Sequence, residues 1–316
     1  MNALERVRLG RTDVTVTRLG IGLAPLGGLF EASSEQAARQ TVDRAYELGL
    51  RYFDVAPLYG NGLAERRTGP ALRGRSATLS TKVGRLLRPG GGDGQDIWAE
   101  PTDLTPVFDF SAEGVRASYA ESLSRLGLQR ADILHLHDPD DHFEQAAGEA
   151  LPALVELREQ GRIGAVSAGM NQAPMLADFV RTGQLDAVLL AGRYTLLDQS
   201  GADELLPLCA SRGVGVIVGG VFNSGLLADP RPGATFDYAP AEPALVERAL
   251  AIRAVCERHG VPLRAAAIQF PAAHPAVTSV LVGTRSAAEV EDAVRMASVP
   301  IPAALWNSLR ADGLLS

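Results

Sequence analysis

Four side chains that could transfer a proton stand at or just beyond the ends of short apolar segments of the chain. Asp54 ends one such segment, and Tyr59 follows on a loop that contains proline and glycine. Lys82 and His137 end two later segments. A phenol has an unperturbed pKa of about 10, so a tyrosine that transfers protons at neutral pH needs a cation beside it. The four side chains therefore predict a proton-transfer site in which Lys82 stabilises the phenolate of Tyr59.

The other two side chains are expected to support this pair. Asp54 would hold the Lys82 ammonium in place, and a histidine would orient the substrate oxygen or share the proton. His135 and His137 lie two residues apart, so both face the same side of a strand. Because His137 is nearer the end of its segment, we expect it to meet substrate and His135 to be packed inside the fold.

Each side chain also has an ordinary structural interpretation when it is taken singly. Asp54 could cap a loop, Tyr59 could be an exposed aromatic residue, and Lys82 could be a surface charge. Their joint placement at the ends of similar segments favours one shared site.

The segments that end in these side chains belong to a regular alternation of β-branched runs and amphipathic helical patterns. This order is typical of successive βα units with parallel strands. Before them, Val7 to Arg18 has turn residues between two short arms, which predicts a hairpin. The eight predicted strands cover residues 19–22, 52–55, 77–81, 132–137, 163–167, 186–190, 214–218 and 278–282.

Eight βα units predict an α/β fold, a single (β/α)8 barrel of the TIM type whose N-terminal β-hairpin can plug one end. Functional groups of such barrels lie at the C-terminal ends of the strands, where Asp54, Lys82 and His137 are predicted to stand. A chain of 316 residues, 46% of them hydrophobic, can bury the core of this one domain, which we expect to span residues 1–316.

One long insertion interrupts the alternation, from Arg85 to Phe110, and it is rich in glycine and proline. Loops of this length in a compact domain are usually lids or disordered segments. Since the insertion leaves the same rim as Lys82, we expect a substrate lid with Trp98 as a candidate wall of the pocket. A solvated loop is the alternative.

The amino-acid composition indicates which binding partners and which cellular compartment to expect. A net charge of −7 and a pI of about 5.3 argue against nucleic acid and anionic membranes as partners. The two cysteines, Cys209 and Cys256, are too few for a disulfide framework and agree with a reducing cytoplasm. Neither a signal peptide nor an apolar run of about 20 residues is evident in the sequence. We expect a soluble cytoplasmic protein that acts on a small molecule.

Two other classes of protein remain as alternatives. A His-x-His pair inside a barrel also suggests a metallohydrolase, since neutral imidazoles are good zinc ligands. With five histidines in the chain, a full ligand set would need carboxylates from other strand ends, so we predict no metal. A nucleotide-binding regulatory protein is the second alternative, because a fold does not guarantee turnover.

In order and context, Asp54, Tyr59, Lys82 and His137 resemble the catalytic tetrad of the aldo-keto reductase family. The resemblance runs from Arg18 through the motif Gly-Thr-Arg-Ser that ends at residue 286. It implies an NAD(P)-dependent barrel enzyme that transfers a hydride between nicotinamide and a carbonyl or alcohol carbon, with Tyr59 as general acid or base.

The cofactor is expected on loops rather than in a Rossmann fold, because no G-x-G-x-x-G stands at a strand-to-helix turn. Barrels can bind phosphate on the loops after strands seven and eight. The resemblance implies that these loops bind pyrophosphate and adenosine, that Arg285 meets the 2'-phosphate of NADP, and that Asn171 and Ser167 bind the nicotinamide amide. An arginine can also stack on adenine. The implied cofactor-binding residues are Ser167, Asn171, Phe222, Asn223, Ser224, Gly225, Leu227, Gly283, Thr284, Arg285, Glu289 and Asp292.

Departures from the family pattern point to one branch. Ala191 stands where the family has a glutamine, and Asp292 replaces a common asparagine. The run 191–197, the loop 219–225 and the tail with Trp306 resemble aldose 1-dehydrogenases, a branch that includes L-fucose, L-galactose and pyridoxal dehydrogenases. The resemblance implies oxidation of an L-fucose, D-arabinose or L-galactose type aldose at C1 to the lactone. A pyridoxal or general aldehyde oxidoreductase with the same tetrad is the alternative.

Overall fold

The computed structural model of the chain describes residues 1–90, 97–100 and 102–316. The strands within them are β1 (Arg6–Arg8), β2 (Thr15–Thr17), β3 (Leu19–Gly22), β4 (Tyr52–Asp54), β5 (Thr78–Val83), β6 (Arg85–Pro89), β7 (Leu104–Phe108), β8 (Ile133–His137), β9 (Ala165–Met170), β10 (Ala187–Ala191), β11 (Gly215–Gly219), β12 (Thr235–Phe236), β13 (Ala239–Pro240) and β14 (Val277–Gly283).

Helices alternate with the strands. They are α1 (Glu35–Glu47), α2 (Leu63–Leu72), α3 (Ala112–Leu126), α4 (Phe143–Gln145), α5 (Leu151–Glu159), α6 (Ala173–Arg181), α7 (Leu205–Arg212), α8 (Pro243–Arg258), α9 (Leu263–Ala272), α10 (Ala287–Ser298) and α11 (Ala303–Ala311). Ser34, Ser111 and Ser286 cap α1, α3 and α10 with their hydroxyl oxygens. In the described part of the chain, no helix is both long and apolar enough to cross a membrane.

The predicted parallel barrel is confirmed. Within the described residues, eight strands pair in the order β3, β4, β5, β8, β9, β10, β11 and β14, and β14 closes the ring on β3. Nearly all their residues are buried, because one face of each strand fills the barrel and the other packs against helices. The C-terminal ends of all eight strands therefore meet at one rim.

The predicted N-terminal hairpin, β1 and β2, plugs the opposite end of the barrel. Leu9 and Val16 are fully buried in one cluster with Tyr52, Ile133 and Ala187, the first residues of β4, β8 and β10. Apolar burial thus fixes the hairpin beneath the barrel and keeps it away from the rim where the candidate side chains stand.

The insertion after β5 is a β-hairpin at its base. β6 and β7 pair antiparallel, and Leu86 and Leu87 are buried. The expectation of an irregular loop is wrong for these residues, because apolar burial stabilises strands where the glycine and proline content predicted none. The lid prediction involves residues 91–96 and 101, which lie outside the described residues, and it stays a prediction.

Candidate active site

A buried ion pair joins the ends of two neighbouring strands. The Nζ atom of Lys82 donates to Oδ2 of Asp54 at 2.7 Å and to the carbonyl oxygen of Val55 at 3.1 Å. The Ser80 hydroxyl donates to Oδ1 of Asp54 at 2.7 Å, so both carboxylate oxygens are bound. The side chains of Lys82 and Asp54 are only 2% and 4% exposed. The two charges meet because β4 and β5 are paired neighbours in the barrel and Asp54 and Lys82 lie near their C-terminal ends.

Tyr59 lies on the loop between β4 and α2, and its ring meets two of the other candidate side chains. The Lys82 Nζ atom lies 4.7 Å from the centroid of the Tyr59 ring. The His137 ring stands edge-on to it, with centroids 6.0 Å apart and planes 88° apart. A Cβ on Gly27 would lie 2.5 Å from the carbonyl carbon of Tyr59, so glycine is needed for the backbone contact that holds this loop. The structure thus brings all four predicted side chains together.

Burial governs the protonation of Tyr59. It raises the pKa of the phenol well above its ordinary value, and the negative charge of Asp54 adds to this effect. Lys82 is expected to act in the opposite direction, but its ammonium is paired with Asp54, which offsets its charge. The phenol of the free protein is therefore protonated at neutral pH.

The two histidines are both neutral but differ in depth. Burial lowers the pKa of His137 well below its ordinary value, helped by the charges of Arg85 and Lys82. Burial and Lys82 do the same to His135. His135 is fully buried, and its Nδ1 atom lies 2.8 Å from the Ser167 hydroxyl. A neutral imidazole at the rim, that of His137, can hydrogen-bond a substrate oxygen.

An aromatic wall stands beside Tyr59. The Trp98 and Tyr59 ring centroids are 6.1 Å apart. The backbone of Trp98 is bridged to Leu29, and the next residue but one, Glu100, accepts hydrogen bonds from Arg67 at 3.0 Å on each carboxylate oxygen. Arg67 is itself buried, with 4% of its side chain exposed. The ion pair therefore anchors the segment that carries Trp98.

Sequence reasoning missed Arg67, and it also missed a second ion pair at the rim. Arg85 donates from Nη2 to Oδ2 of Asp138 at 2.7 Å. The same carboxylate oxygen lies 3.5 Å from Nε2 of His137. A signal was present, because Asp138 directly follows His137 and Arg85 follows the end of β5. The pairing itself joins residues far apart in sequence, and spacing does not reveal such partners.

The loop after β11 has the backbone of a ligand cradle. Asn223, Ser224 and Gly225 all have positive φ, between 47° and 103°. The Asn223 side chain donates to the Gly192 carbonyl at 3.1 Å, while its buried Oδ1 atom has no hydrogen-bond partner among the described residues. Phe222 and Leu227 flank this loop, half-buried and buried respectively.

The loop after β14 lies next in the ring of strands. Gly283 is exposed, and the buried Thr284 hydroxyl has no partner in the described part of the chain. The Arg285 guanidinium pairs with Glu31 and Glu289. The amide N-H of Arg285 donates to Glu289 at 2.9 Å. The Asn223 amide oxygen can accept a hydrogen bond, and the Thr284 hydroxyl, in the loop that leads into α10, can also donate one. The two adjacent loops can therefore hold a ligand that carries both donors and acceptors, as a nucleotide does.

Two predicted cofactor residues, Ser167 and Asp292, have other partners, and a third, Asn171, is open to a ligand. Ser167 lies within β9, against His135 rather than at the rim. Asp292 pairs with Arg264 from α9, with an Nε to Oδ2 distance of 2.9 Å. Asn171 follows the end of β9 and lines a pocket together with Arg193. Within the described residues, no group of three or more histidine, cysteine, aspartate or glutamate side chains could hold a metal ion.

Comparisons with known proteins agree on one family. The model of the aldo/keto reductase family matches residues 18–311. Pyridoxal 4-dehydrogenase of Microbacterium luteolum is 40% identical, over 100% of this chain and 99% of the relative. D-threo-aldose 1-dehydrogenase of a Pseudomonas species is 42% identical, over 94% of each chain. A holo structure of an aldo-keto reductase from Bacillus halodurans superposes with a TM-score of 0.79 at 26% identity, over 99% of this chain and 97% of that one.

Proposed function

Since this chain belongs to the aldo/keto reductase family, we propose that it oxidises an aldose at C1 to the lactone with NAD(P)⁺ as the acceptor. L-fucose, D-arabinose and L-galactose type sugars are the proposed substrates. The observation that carries the proposal is the convergence of Asp54, Lys82, Tyr59 and His137 at one rim. The names of two relatives, D-threo-aldose 1-dehydrogenase and the 35% identical L-galactose dehydrogenase of Arabidopsis thaliana, support a sugar as substrate. Family membership also argues against the hydrolase and regulatory alternatives.

Each tetrad residue has a distinct task in this reaction. The neutral imidazole of His137 hydrogen-bonds the C1 hydroxyl and orients it towards Tyr59. The Tyr59 phenolate takes the hydroxyl proton. Lys82 holds positive charge against the face of that ring, and Asp54 fixes Lys82. Bound NAD(P)⁺ supplies the hydride acceptor and a positive charge that favours the phenolate.

The cofactor is proposed to bind across the two loops with unpaired oxygens. In the loop of Asn223, Ser224 and Gly225, the Ser224 hydroxyl would donate a hydrogen bond to the pyrophosphate. Thr284 and Arg285 would hold the adenosine end, and Asn171 the nicotinamide amide. Arg285 already pairs with Glu31 and Glu289. A 2'-phosphate would have to compete with these carboxylates, so we propose a preference for NAD⁺ over NADP⁺.

Spectrophotometry of the nicotinamide tests this function. The panel contains L-fucose, D-arabinose, L-galactose, pyridoxal and simple aldehydes, each with both cofactors. We expect the highest kcat/KM with one of the sugars. The KM for NAD⁺ should be lower than that for NADP⁺, by about tenfold or less because exposed ion pairs contribute little. Oxidation of pyridoxal but of no sugar would contradict the proposal.

That last outcome would favour the second candidate function, pyridoxal oxidation. The 40% identity to pyridoxal 4-dehydrogenase over the full chain supports it. So does Trp98, whose ring beside Tyr59 could stack on a pyridine.

The raised pKa of Tyr59 predicts how the rate depends on pH. Oxidation needs the phenolate form of Tyr59. Below the pKa, the fraction of Tyr59 in this form increases about tenfold per pH unit. We therefore expect kcat/KM for the sugar to rise from about pH 6 to about pH 9. Reduction of an aldehyde needs the protonated phenol, so its rate should stay flat over the same range. Parallel profiles for the two directions would contradict this assignment of the proton to Tyr59.

A further inference from the structure

The carboxylate of Asp138 is placed for a task that the tetrad does not perform. Asp138 has a φ of 44°, a left-handed conformation that aspartate tolerates. This turn brings its Oδ2 atom to 3.5 Å from Nε2 of His137. About a third of the side chain, 32%, is exposed. The carboxylate thus faces accessible space beside the imidazole that would hold the reacting oxygen.

The same carboxylate is held rigidly on one side and is open on the other. Arg85 donates to Oδ2 at 2.7 Å, and its guanidinium carbon lies 4.5 Å from the centroid of the Phe108 ring. Only 10% of the Arg85 side chain is exposed. None of the described residues donates a hydrogen bond to Oδ1 of Asp138. A fixed carboxylate with a free oxygen can accept a hydrogen bond from a ligand without reorganising.

The charge of Asp138 also raises the pKa of two phenols. Burial raises the pKa of Tyr59 most, followed by Asp54, with a further contribution from Asp138. Burial and then Asp138 raise the pKa of Tyr238. The charge of Asp138 therefore acts on two phenols, one of which is Tyr59 of the tetrad.

We propose that Asp138 determines substrate specificity by accepting a hydrogen bond from the hydroxyl on C2, the carbon next to the reacting C1 of an aldose. This inference rests on the proposed sugar oxidation. Within the ring of a cyclic sugar, C1 is bonded to two atoms, the ring oxygen and C2. The ring oxygen carries no hydrogen, whereas the C2 hydroxyl can donate. A carboxylate only accepts hydrogen bonds, so at this position it selects sugars that have the C2 hydroxyl.

Two sugars that differ only at C2 test the proposal, namely D-arabinose and 2-deoxy-D-ribose. We expect wild-type kcat/KM to be higher for D-arabinose. Asp138→Asn should lower kcat/KM for D-arabinose about 10- to 100-fold, the range for a hydrogen bond to a charged group. Loss of the charge beside Tyr59 and His137 acts on both sugars alike, so the value for 2-deoxy-D-ribose should change much less and the ratio of the two values should fall by about the same 10- to 100-fold. The ratio of the two values does not depend on the fraction of variant that is folded.

Asp178→Asn is the matched control, because Asp178 forms an exposed ion pair with Arg181 at 2.6 Å on α6. It should leave both values and their ratio unchanged. An equal loss for both sugars with Asp138→Asn would overturn the proposal and leave Asp138 as a positioning residue for His137 or Arg85. A wild-type protein that oxidises neither sugar, but does oxidise pyridoxal, would overturn the proposed function itself.

Discussion

Replacement of Tyr59 by phenylalanine should lower kcat for sugar oxidation about 100- to 10,000-fold, the range that a positioned general acid or base contributes. The variant keeps the ring that packs against Lys82, His137 and Trp98. It loses only the oxygen that takes the proton. The groups proposed to hold the cofactor lie on the loops after β9, β11 and β14 and do not include the Tyr59 phenol, so the Kd for NAD⁺, measured by fluorescence titration, should change by less than about twofold.

Tyr46→Phe is the matched control for this substitution. The Tyr46 ring lies on α1, 3.8 Å from the Arg51 guanidinium carbon, and a phenyl ring can keep that contact. Its kcat should equal that of the wild type. Unimpaired turnover by Tyr59→Phe would remove Tyr59 from the proton transfer and shift attention to the other ionisable group beside His137, Asp138.

The barrel could be predicted from sequence because its signals are local. Most strands of the barrel are short runs of apolar or β-branched residues, and nearly all of their residues are buried. The boundaries were less exact. The fifth predicted strand, 163–167, is observed as Ala165–Met170. The amides of Gly164 and Ala165 both donate to the carbonyl of Asp132, the residue directly before β8, so regular pairing with β8 begins only at Ala165. Pairing with the next strand then carries β9 on to Met170.

The candidate tetrad was predictable for the same reason, since its members stand at strand ends or on the adjoining loop. The groups around it were not. Arg67 meets Glu100, and Arg85 meets Asp138, across 33 and 53 residues of sequence. Arg85 and Asp138 meet because β5 pairs with β8, and Arg67 and Glu100 meet because the insertion folds back against α2. The protonation state of Tyr59 could not be predicted from sequence either. The sequence suggests that Lys82 sets the pKa of the phenol, whereas in the structure burial has the largest effect and raises it.

Replacement of Lys82 by methionine should lower both stability and turnover. Methionine has a similar length but leaves the Asp54 charge buried without its cation. Removal of one partner from a buried ion pair costs about 3–5 kcal/mol. We expect a loss of this size in the free energy of unfolding in urea, followed by circular dichroism. The kcat for sugar oxidation should fall to that of Tyr59→Phe or lower. The substitution removes the cation beside the Tyr59 phenolate in addition to its effect on stability.

The double variant Asp54→Asn/Lys82→Met separates the two effects. An asparagine keeps an oxygen that can accept the Ser80 hydroxyl hydrogen bond but carries no charge. The double variant should therefore recover at least half of the lost stability, since neutral replacement of both partners of a buried pair is often tolerated. Its turnover should stay as low as that of the single variant, because the cation beside Tyr59 is still absent. A single variant as stable as the wild type would show that solvent reaches Asp54. Recovery of turnover in the double variant would show that Lys82 serves only to neutralise Asp54, and not to support the phenolate.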